Sequence, residues 1–265
     1  MHIEFFKYQG AGNDFVIIDD RSCTFDRTND KLVKFLCDRK FGVGADGLML
    51  LMPSDDYDFE MVYYNADGFE GSMCGNGGRC IVAFAFAQGL INGNCKFIAV
   101  DGEHIASIIK SGNEQWVSLQ MIDVNLIEEG EDFCYLNTGS PHYVQVVENL
   151  SEFDVVGKGK EVRFNDRFKE NGTNVNFIEL KNENTLSIRT YERGVEDETL
   201  ACGTGVTAAV LSVHAIGLTV ATELCVSALG GDLKVKFNAN GSNYTNVFLQ
   251  GPAELVFNGS LDVKV

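Results

Sequence analysis

Proline and tryptophan are scarce in this sequence, whose 265 residues include 3 prolines and 1 tryptophan against 28 glycines. Hydrophobic residues make up 45% of the chain and charged residues 22%, which is typical of a folded globular protein and excludes a disordered or fibrous one. A chain of this length can bury substantial hydrophobic cores without disulfide bonds or structural metal ions. We therefore expect one large or two modest globular domains.

Basic residues are also few. The chain has 21 Lys plus Arg against 38 Asp plus Glu, so its formal net charge is -17. Most of such a surface repels nucleic-acid phosphates and anionic lipids. We expect no nucleic-acid partner and no membrane partner, and an anionic ligand would need a local site of arginine, backbone amides and helix ends.

No long hydrophobic run is present at the start of the chain. The first ten residues contain Glu4, Lys7 and Gln9, so they lack the apolar core of a signal peptide. The apolar run of residues 81–87 is far shorter than a membrane-spanning helix. These absences predict a cytoplasmic protein, in which a reducing environment keeps the 8 cysteines as free thiols.

An internal repeat organises what is present. Residues 63–90 align without a gap on residues 191–218, at an offset of roughly 128 residues. A weaker echo relates GAGNDFVIID, near the start, to TGSPHYVQVV at nearly the same offset. The repeat predicts two similar halves, residues 1–122 and residues 123–265, that pack directly with a cleft between them. The identical pairs in the longer alignment include Tyr63 with Tyr191, Glu70 with Glu198, Cys74 with Cys202, Gly75 with Gly203 and Gly77 with Gly205.

Both halves are rich in predicted strands, because short segments of five to eight residues that alternate or run apolar recur along each of them. The clear helices are predicted over residues 31–38, 76–88 and 204–216. The last two are rich in alanine and apolar on nearly every face, and each ends at a glycine that can form a left-handed cap. A helix that is apolar all round is expected to be wrapped by a sheet.

Two cysteine-glycine turns, Cys74-Gly75-Asn76-Gly77 and Cys202-Gly203-Thr204-Gly205, lie where a loop becomes one of these buried helices. The first turn of a helix has unpaired N–H groups and a partial positive charge, which stabilise a thiolate and make it a competent base. One such turn could equally be a structural cysteine in a tight turn. Two of them related by a repeat favour a shared chemical role.

If the halves face each other, the two thiols converge on one cleft from opposite sides. That arrangement suits inversion of a carbon centre, in which a thiolate removes a proton from one face and a thiol donates one to the other. With each sulfur about 3 to 3.5 Å from the carbon, the two sulfurs would be separated by roughly 7 Å. Two helix N-termini directed at one carboxylate would stabilise the carbanion without a metal or a pyridoxal cofactor.

The motifs NADGFEGSMCGNGGRC, YERGVEDETLACGTG, GAGNDFVIID and GSPH together resemble the diaminopimelate epimerase family. The resemblance runs from the first strand to about residue 220. It implies an α/β fold of the α+β type, with two pseudo-symmetric domains, each a mostly antiparallel sheet wrapped around a central helix. It also implies a homodimer that interconverts LL- and meso-2,6-diaminoheptanedioate without a cofactor, in the biosynthesis of lysine and of peptidoglycan precursors.

The resemblance carries over Cys74 and Cys202 as the catalytic acid and base. Arg193 could clamp the distal carboxylate of the substrate, and Glu192 could pair with an ammonium group. His142 resembles a family histidine near the thiols and could tune their protonation. The substrate ligands implied in this way are Asn13, Asn65, Gly75, Asn76, Asn174, Glu192, Arg193, Gly203 and Thr204.

The sequence departs from the commonest family pattern in three places. Ser140 stands where many members have Asn, and Gly47 follows Asp46 where some have a glutamine that contacts the substrate. The loop between Arg193 and Cys202 is one residue longer. The first two departures put those contacts with the substrate in question, and none removes a catalytic group.

The remaining motifs have plainer interpretations. No metal site is expected, since Cys80 has no zinc-type spacing to Cys74 and is predicted to lie inside a helix. His214 is predicted to be a packing histidine, and GVGADG a turn that does not bind nucleotide. Two rival functions stay open, namely a racemase of proline derivatives on the same architecture and a thiol redox sensor. Five further cysteines are predicted to be small core residues: Cys23, Cys37, Cys95, Cys134 and Cys225.

Overall fold

The computed structural model describes residues 1–71, 73–112 and 114–263. The chain divides into two compact units, one formed by Met1–Leu119 with Pro252–Val265 and the other by Gln120–Gly251. Among the described residues, no helix has both the length and the apolar character that crossing a membrane requires.

The first unit contains a mixed, mainly antiparallel sheet in the order β17-β1-β2-β3-β4-β5-β6-β7. The pairs β2–β3 and β4–β5 are parallel, and the other neighbours are antiparallel. Its elements are β1 (His2–Gly10), β2 (Asn13–Asp19), α1 (Asp30–Cys37), β3 (Gly47–Met52), β4 (Phe59–Asn65), α2 (Gly75–Ala87), β5 (Asn94–Ala99), β6 (Gly102–Ser111), β7 (Glu114–Gln120) and β17 (Glu254–Asp262).

The second unit contains a sheet in the order β8-β9-β10-β11-β12-β14-β15-β16, with β13 also paired to β12. Here β10–β11 and β12–β14 are the parallel pairs. Its elements are β8 (Ile127–Glu129), β9 (Phe133–Asn137), β10 (Pro141–Val146), a short 3-10 helix (Leu150–Glu152), α3 (Val155–Arg163), β11 (Asn174–Asn182), β12 (Thr185–Glu192), β13 (Asp197–Thr199), α4 (Gly203–Ala215), β14 (Glu223–Ala228), β15 (Gly231–Asn240) and β16 (Asn243–Pro252).

The two sheets follow the same plan. From one edge to the other, each has two antiparallel pairs, a parallel pair, an antiparallel pair, a second parallel pair and two more antiparallel pairs. The helix α2 comes after β4, and α4 comes after the equivalent strand β12, with the short β13 between them. The predicted fold class of two pseudo-symmetric domains, each a mostly antiparallel sheet around a central helix, is thereby confirmed.

The central helices have the same length, 13 residues, and each begins directly after a cysteine. They begin and end one residue earlier than predicted. In α2 the buried residues run from Gly75 to Ala85, and α4 is buried nearly as completely. This burial explains their all-round apolar sequences, because a helix packed inside a curved sheet has no solvent-facing side.

A second helix in each unit covers the other face of the sheet. In the first unit, α1 places Leu32, Val33 and Leu36 in a core with Leu48 and Leu50 of β3. In the second unit, α3 lies between β10 and β11 in the chain, which are the strands equivalent to β2 and β3. This helix was not predicted. Its sequence VVGKGKEVR contains two glycines and only two buried residues, so it lacks a clear apolar stripe.

The last strand belongs to the first unit, although the repeat predicts it in the second half, residues 123–265. β17 pairs with β1 along its length, from His2 opposite Asp262 to Gln9 opposite Glu254. β17 pairs with β1 in the first unit as β8 pairs with β9 in the second, so the two strands occupy equivalent places. A long-range antiparallel pairing of this kind leaves no local signal in the sequence.

Candidate active site

Cys74 is the N-terminal cap of α2. Its backbone is extended, and its side chain makes no capping hydrogen bond. The sulfur is partly exposed, whereas Gly75 and Asn76 directly after it are buried. The thiol therefore lies at the electropositive start of a buried helix, as the sequence predicted.

Asn13, at the start of β2, is brought to this cysteine by the tight turn after β1. The Cys74 thiol donates to the Asn13 side-chain oxygen, with 3.6 Å between Sγ and Oδ1. The Asn76 amide donates to the same oxygen over 3.5 Å. Three of the predicted site residues of this unit are thus joined by hydrogen bonds, and their contact with substrate stays a prediction.

The orientation of Asn13 is fixed by Asp46, which was predicted only as part of a turn. The Asn13 Nδ2 donates to Asp46 Oδ2 over 2.6 Å. Because a carboxylate only accepts, this bond turns the Asn13 oxygen toward Cys74. Arg39 donates to the other Asp46 oxygen over 2.7 Å and forms two hydrogen bonds to Asp14. Although burial opposes it, hydrogen bonding to Arg39 and Lys7 holds the pKa of Asp14 well below its usual range.

Removal of this carboxylate is expected to increase the reactivity of Cys74. In an Asp46→Ala variant the Asn13 amide can rotate, so the thiol loses its acceptor, and a nearby negative charge also disappears. Both changes favour the thiolate, and a lost hydrogen bond of about 1 kcal/mol corresponds to a several-fold faster alkylation at neutral pH. Iodoacetamide labelling of the Cys74 peptide, quantified by mass spectrometry, measures this.

Asp262→Ala is the matched control, because this exposed carboxylate of the same unit pairs with His2 over 2.8 Å. It should leave the labelling rate of Cys74 unchanged. An Asp46→Ala protein that labels no faster than the wild type would contradict the orienting role of Asp46.

Arg79 adds positive charge on the inner side of the same helix turn. It is fully buried, and it donates to the carbonyl of Gly75 over 3.3 Å and to that of Pro252 over 3.4 Å. Within the described part of the chain, no carboxylate forms an ion pair with it. Burial lowers its pKa, and the neighbouring Cys80 and Cys74 oppose that shift. Arg79 was not predicted as a site residue, although it lies in the motif CGNGGRC that begins with Cys74.

Asn65 and Gly47 lie at the edge of this region. Asn65 is the exposed last residue of β4, and its backbone closes the turn to Phe69. A side chain at Gly47 would approach the Tyr63 ring to 2.5 Å. The Tyr63 ring thus takes the space of a larger residue at position 47, which accounts for the glycine found there.

Cys202 is the N-terminal cap of α4 in the second unit, with the same extended backbone as Cys74 and a partly exposed side chain. Its Sγ lies 3.4 Å from the hydroxyl oxygen of Thr204. That hydroxyl also lies 2.9 Å from Nε2 of His142, which is fully buried. The predicted residues Cys202, Thr204 and His142 thus form one chain of hydrogen bonds.

His142 is held on its other side by Asn176, which was not predicted as a site residue. Asn176 Nδ2 lies 3.0 Å from His142 Nδ1. Burial, reinforced by the positive charge of Arg193, lowers the pKa of His142 to about 3, so the ring is neutral near pH 7. The segment Asn174-Val175-Asn176 carried the missing signal, since alternate residues of a strand share a face.

Glu192 is the last residue of β12, and Arg193 follows it directly. The Arg193 backbone N–H donates to the Asn174 side-chain oxygen over 2.9 Å, and its guanidinium donates to the Asn171 carbonyl over 2.9 Å. Among the described residues, no carboxylate forms an ion pair with this exposed guanidinium. Glu192 accepts a hydrogen bond from Thr199 over 2.8 Å.

The cysteines other than Cys74 and Cys202 have different surroundings. Burial raises the pKa values of Cys37, Cys80 and Cys95 to about 12, so these thiols stay protonated in the core. The prediction of core packing is wrong for Cys23 and Cys225, which are exposed, the first in a turn and the second on the outer face of β14. Across the described ranges, no cluster of potential metal ligands is found.

The family model for diaminopimelate epimerase matches the chain twice in succession, over residues 5–127 and 134–256. The chain belongs to the diaminopimelate epimerase family. A diaminopimelate epimerase from Flavobacterium psychrophilum is 49% identical over 255 residues, covering 96% of this chain and 98% of that protein. One from Chlorobaculum tepidum is 42% identical over 260 residues, covering 95% and 98%. Membership of this family makes the chain an isomerase of the epimerase type.

Solved structures with much lower identity share the fold. A phenazine biosynthesis protein of the PhzF family from Bacillus anthracis has a TM-score of 0.76 at 14% identity, covering 99% of this chain and 100% of that one. A hydroxyproline epimerase from Agrobacterium vitis has a TM-score of 0.70 at 14% identity, covering 98% and 92%. At such identities the likeness concerns the architecture alone.

Proposed function

We propose that this protein interconverts LL- and meso-2,6-diaminoheptanedioate without a cofactor, in the cytoplasm, as a step toward lysine and peptidoglycan precursors. The observation that carries the proposal is the placement of Cys74 and Cys202 as N-terminal caps of equivalent central helices. Each is partly exposed and embedded in its own set of hydrogen bonds. Membership of the diaminopimelate epimerase family supports the choice of substrate.

In the proposed reaction, the thiolate of one cysteine takes the proton from the substrate α-carbon, and its electron pair delocalises into the adjacent carboxylate. The thiol of the other cysteine then donates its proton to the opposite face of that carbon. The products are the inverted centre and a pair of cysteines with exchanged protonation states. The N–H groups at the starts of α2 and α4 are suited to stabilise the negative charge that develops between the two steps.

The polar residues beside the cysteines suit a long substrate with a charged group at each end. Arg193 presents a guanidinium that is free of ion pairs with the described carboxylates, and a guanidinium can bind a carboxylate through two parallel hydrogen bonds. Glu192 supplies a carboxylate next to it in the chain for an ammonium group. The side-chain amides of Asn13, Asn65 and Asn174 can donate hydrogen bonds to, and accept them from, the polar groups on the carbon centre that does not react.

A coupled assay with purified protein tests the substrate. LL-diaminoheptanedioate should equilibrate with the meso form, which a dehydrogenase specific for the meso form detects. Deuterium from solvent should enter the α-position of the inverted centre. A protein that turns over proline or hydroxyproline instead would overturn the assignment of substrate, and one that exchanges no α-hydrogen would favour the thiol sensor.

The proposal includes a homodimer. β17 lies beside β1 and exposes about half of the surface of Leu255, Val256 and Phe257, with exposed fractions of 49%, 56% and 47%. Consecutive apolar residues exposed on a strand are a common docking surface for a second copy of the same chain. Sedimentation equilibrium of the purified protein measures the state of association, and a monomer at micromolar concentration would contradict it.

A further inference from the structure

Glu196 lies in the loop between β12 and β13, residues 193–196, and its backbone is left-handed, with a φ of 59°. A residue other than glycine adopts this conformation only where its surroundings hold it there. The Glu196 backbone N–H donates to the Glu192 carbonyl over 2.8 Å, and its side-chain Oε1 accepts from the Gly194 N–H over 3.2 Å. Glu196 therefore closes the loop that carries Arg193, through its main chain and its side chain together.

The Glu196 side chain is tied to Arg163, the last residue of α3. The Arg163 Nη2 lies 3.2 Å from Oε1 of Glu196, and the two side chains are 13% and 34% exposed, the arginine being the more buried. The other carboxylate oxygen, Oε2, and the Nε of Arg163 are both inaccessible to solvent. An ion pair with so little solvent contact is screened less than one on the open surface.

Arg163 also holds the segment that receives the Arg193 guanidinium. Its Nη1 donates to the Phe168 carbonyl over 3.3 Å, in the stretch of chain that leads from α3 to β11. The Asn171 carbonyl of the same stretch accepts from the Arg193 guanidinium over 2.9 Å. Arg163 thus joins the two segments on which the position of the Arg193 guanidinium depends.

The two arginines border the same small space beside Gly172. A methyl group at Gly172 would lie 2.5 Å from Cδ of Arg193 and 2.9 Å from Cζ of Arg163. Two positive charges in one place repel each other unless a negative charge offsets one of them. Glu196 pairs with Arg163, whereas no carboxylate within the described ranges pairs with Arg193. The positive charge of Arg193 is therefore left for a ligand.

We propose that Glu196 and Arg163 are positioning residues that hold the Arg193 guanidinium in place for the distal carboxylate of the substrate, and so favour a dicarboxylic amino acid. This inference rests on the proposed function. The distal carboxylate is remote from the reacting carbon, so its binding changes little between the bound substrate and the transition state. The pair should therefore act on KM and leave kcat nearly unchanged.

The test begins with Glu196→Gly, which removes the carboxylate but fits the backbone, because glycine adopts a positive φ without strain. This variant should raise the KM for LL-diaminoheptanedioate roughly tenfold, as expected for loss of about one hydrogen bond to a charged group, with a change in kcat below about threefold. Arg163→Met keeps the apolar stem and should raise KM by a similar factor. In the double variant the two factors should not multiply, because the side chains act as one pair.

Hydrogen exchange measured without substrate reports on the loop itself. Amide exchange in a peptide covering residues 192–198, relative to the intrinsic rates, should be roughly tenfold faster in Glu196→Gly, since the Gly194 N–H loses its acceptor. Glu161→Gln is the matched control, because Glu161 is an exposed carboxylate of α3 that pairs with Lys158 over 2.9 Å. It should leave both KM and the loop exchange unchanged.

The proposal requires both changes in Glu196→Gly, whether or not Arg163→Met folds. A KM or a loop exchange that matches the wild type overturns it, and so does a variant that loses kcat while its KM stays the same. Faster loop exchange in a protein that turns over no diaminoheptanedioate would refute the proposed function and leave the hold of Glu196 on the Arg193 loop standing.

Discussion

Cys74→Ser and Cys202→Ser are each expected to lose turnover by about a thousandfold or more while the protein folds normally. A serine hydroxyl is a far weaker acid than a thiol, so it neither forms the base nor donates a proton readily at neutral pH. General acid or base catalysis by one group typically contributes about 10² to 10⁴ in rate. In the proposed reaction both groups act on one carbon, so either single change should suffice.

Turnover of the LL and meso substrates by each variant, with circular dichroism as the check on folding, measures this effect. Cys225→Ser is the matched control, because Cys225 is an exposed cysteine of the second unit on β14. It should retain wild-type activity. A Cys74→Ser or Cys202→Ser enzyme with more than a tenth of wild-type turnover would show that the two thiols do not form an acid–base pair.

The repeat made most of the fold accessible from the sequence. Two apolar helices of equal length, each directly after Cys-Gly, predicted two sheets wrapped around central helices, and both helices lie within one residue of their predicted bounds. The segments NDFVIID, GLMLLM and TLSIRTYE, whose apolar patterns predict strands, form β2, β3 and β12. Short strands such as β8 and β13 were missed, because three residues do not show an alternating pattern.

The residues that orient the site were harder to predict than those that would perform the chemistry. Cys74 and Cys202 stand out because each directly precedes a glycine at the start of an apolar helix, and because the repeat aligns them. Asp46 and Asn176 act through bonds to residues far away in sequence, and their partners are set by the register of β10, β11 and the turn before β3. Such cross-strand contacts depend on which strands become neighbours, which local sequence does not specify.

Gly205→Ala is expected to destabilise the second unit strongly, by about 3 kcal/mol. A methyl group there would lie 2.4 Å from Asn176 Oδ1 and 3.4 Å from Cβ of Cys202. Asn176 cannot withdraw without breaking its buried bonds to Thr190, Tyr143 and His142. Overpacking costs about 1–3 kcal/mol and a broken buried hydrogen bond about 1–3 kcal/mol, against a gain of about 1 kcal/mol in helix propensity.

Gly77→Ala, at the corresponding position of α2, separates the effect of packing from that of helix propensity. Its added methyl would lie 3.2 Å from Met49 Sδ and 3.5 Å from the Phe15 ring. Met49 is flexible and has no hydrogen bond to lose, so it can move by a few tenths of an ångström. The stability of this variant should stay within about 1 kcal/mol of the wild type. Urea denaturation of both variants compares them directly.

The contrast between these two glycines follows from what each sheet presents to its central helix. The first unit presents an apolar methionine at the point of closest approach, and the second presents an asparagine that holds His142. If the polar network is as rigid as its hydrogen bonds imply, Gly205→Ala should lose clearly more stability than Gly77→Ala, because Asn176 bonds to His142, Tyr143 and Thr190 at once. Equal losses of stability in the two variants would mean that the glycines serve only helix packing, and that the network yields under strain.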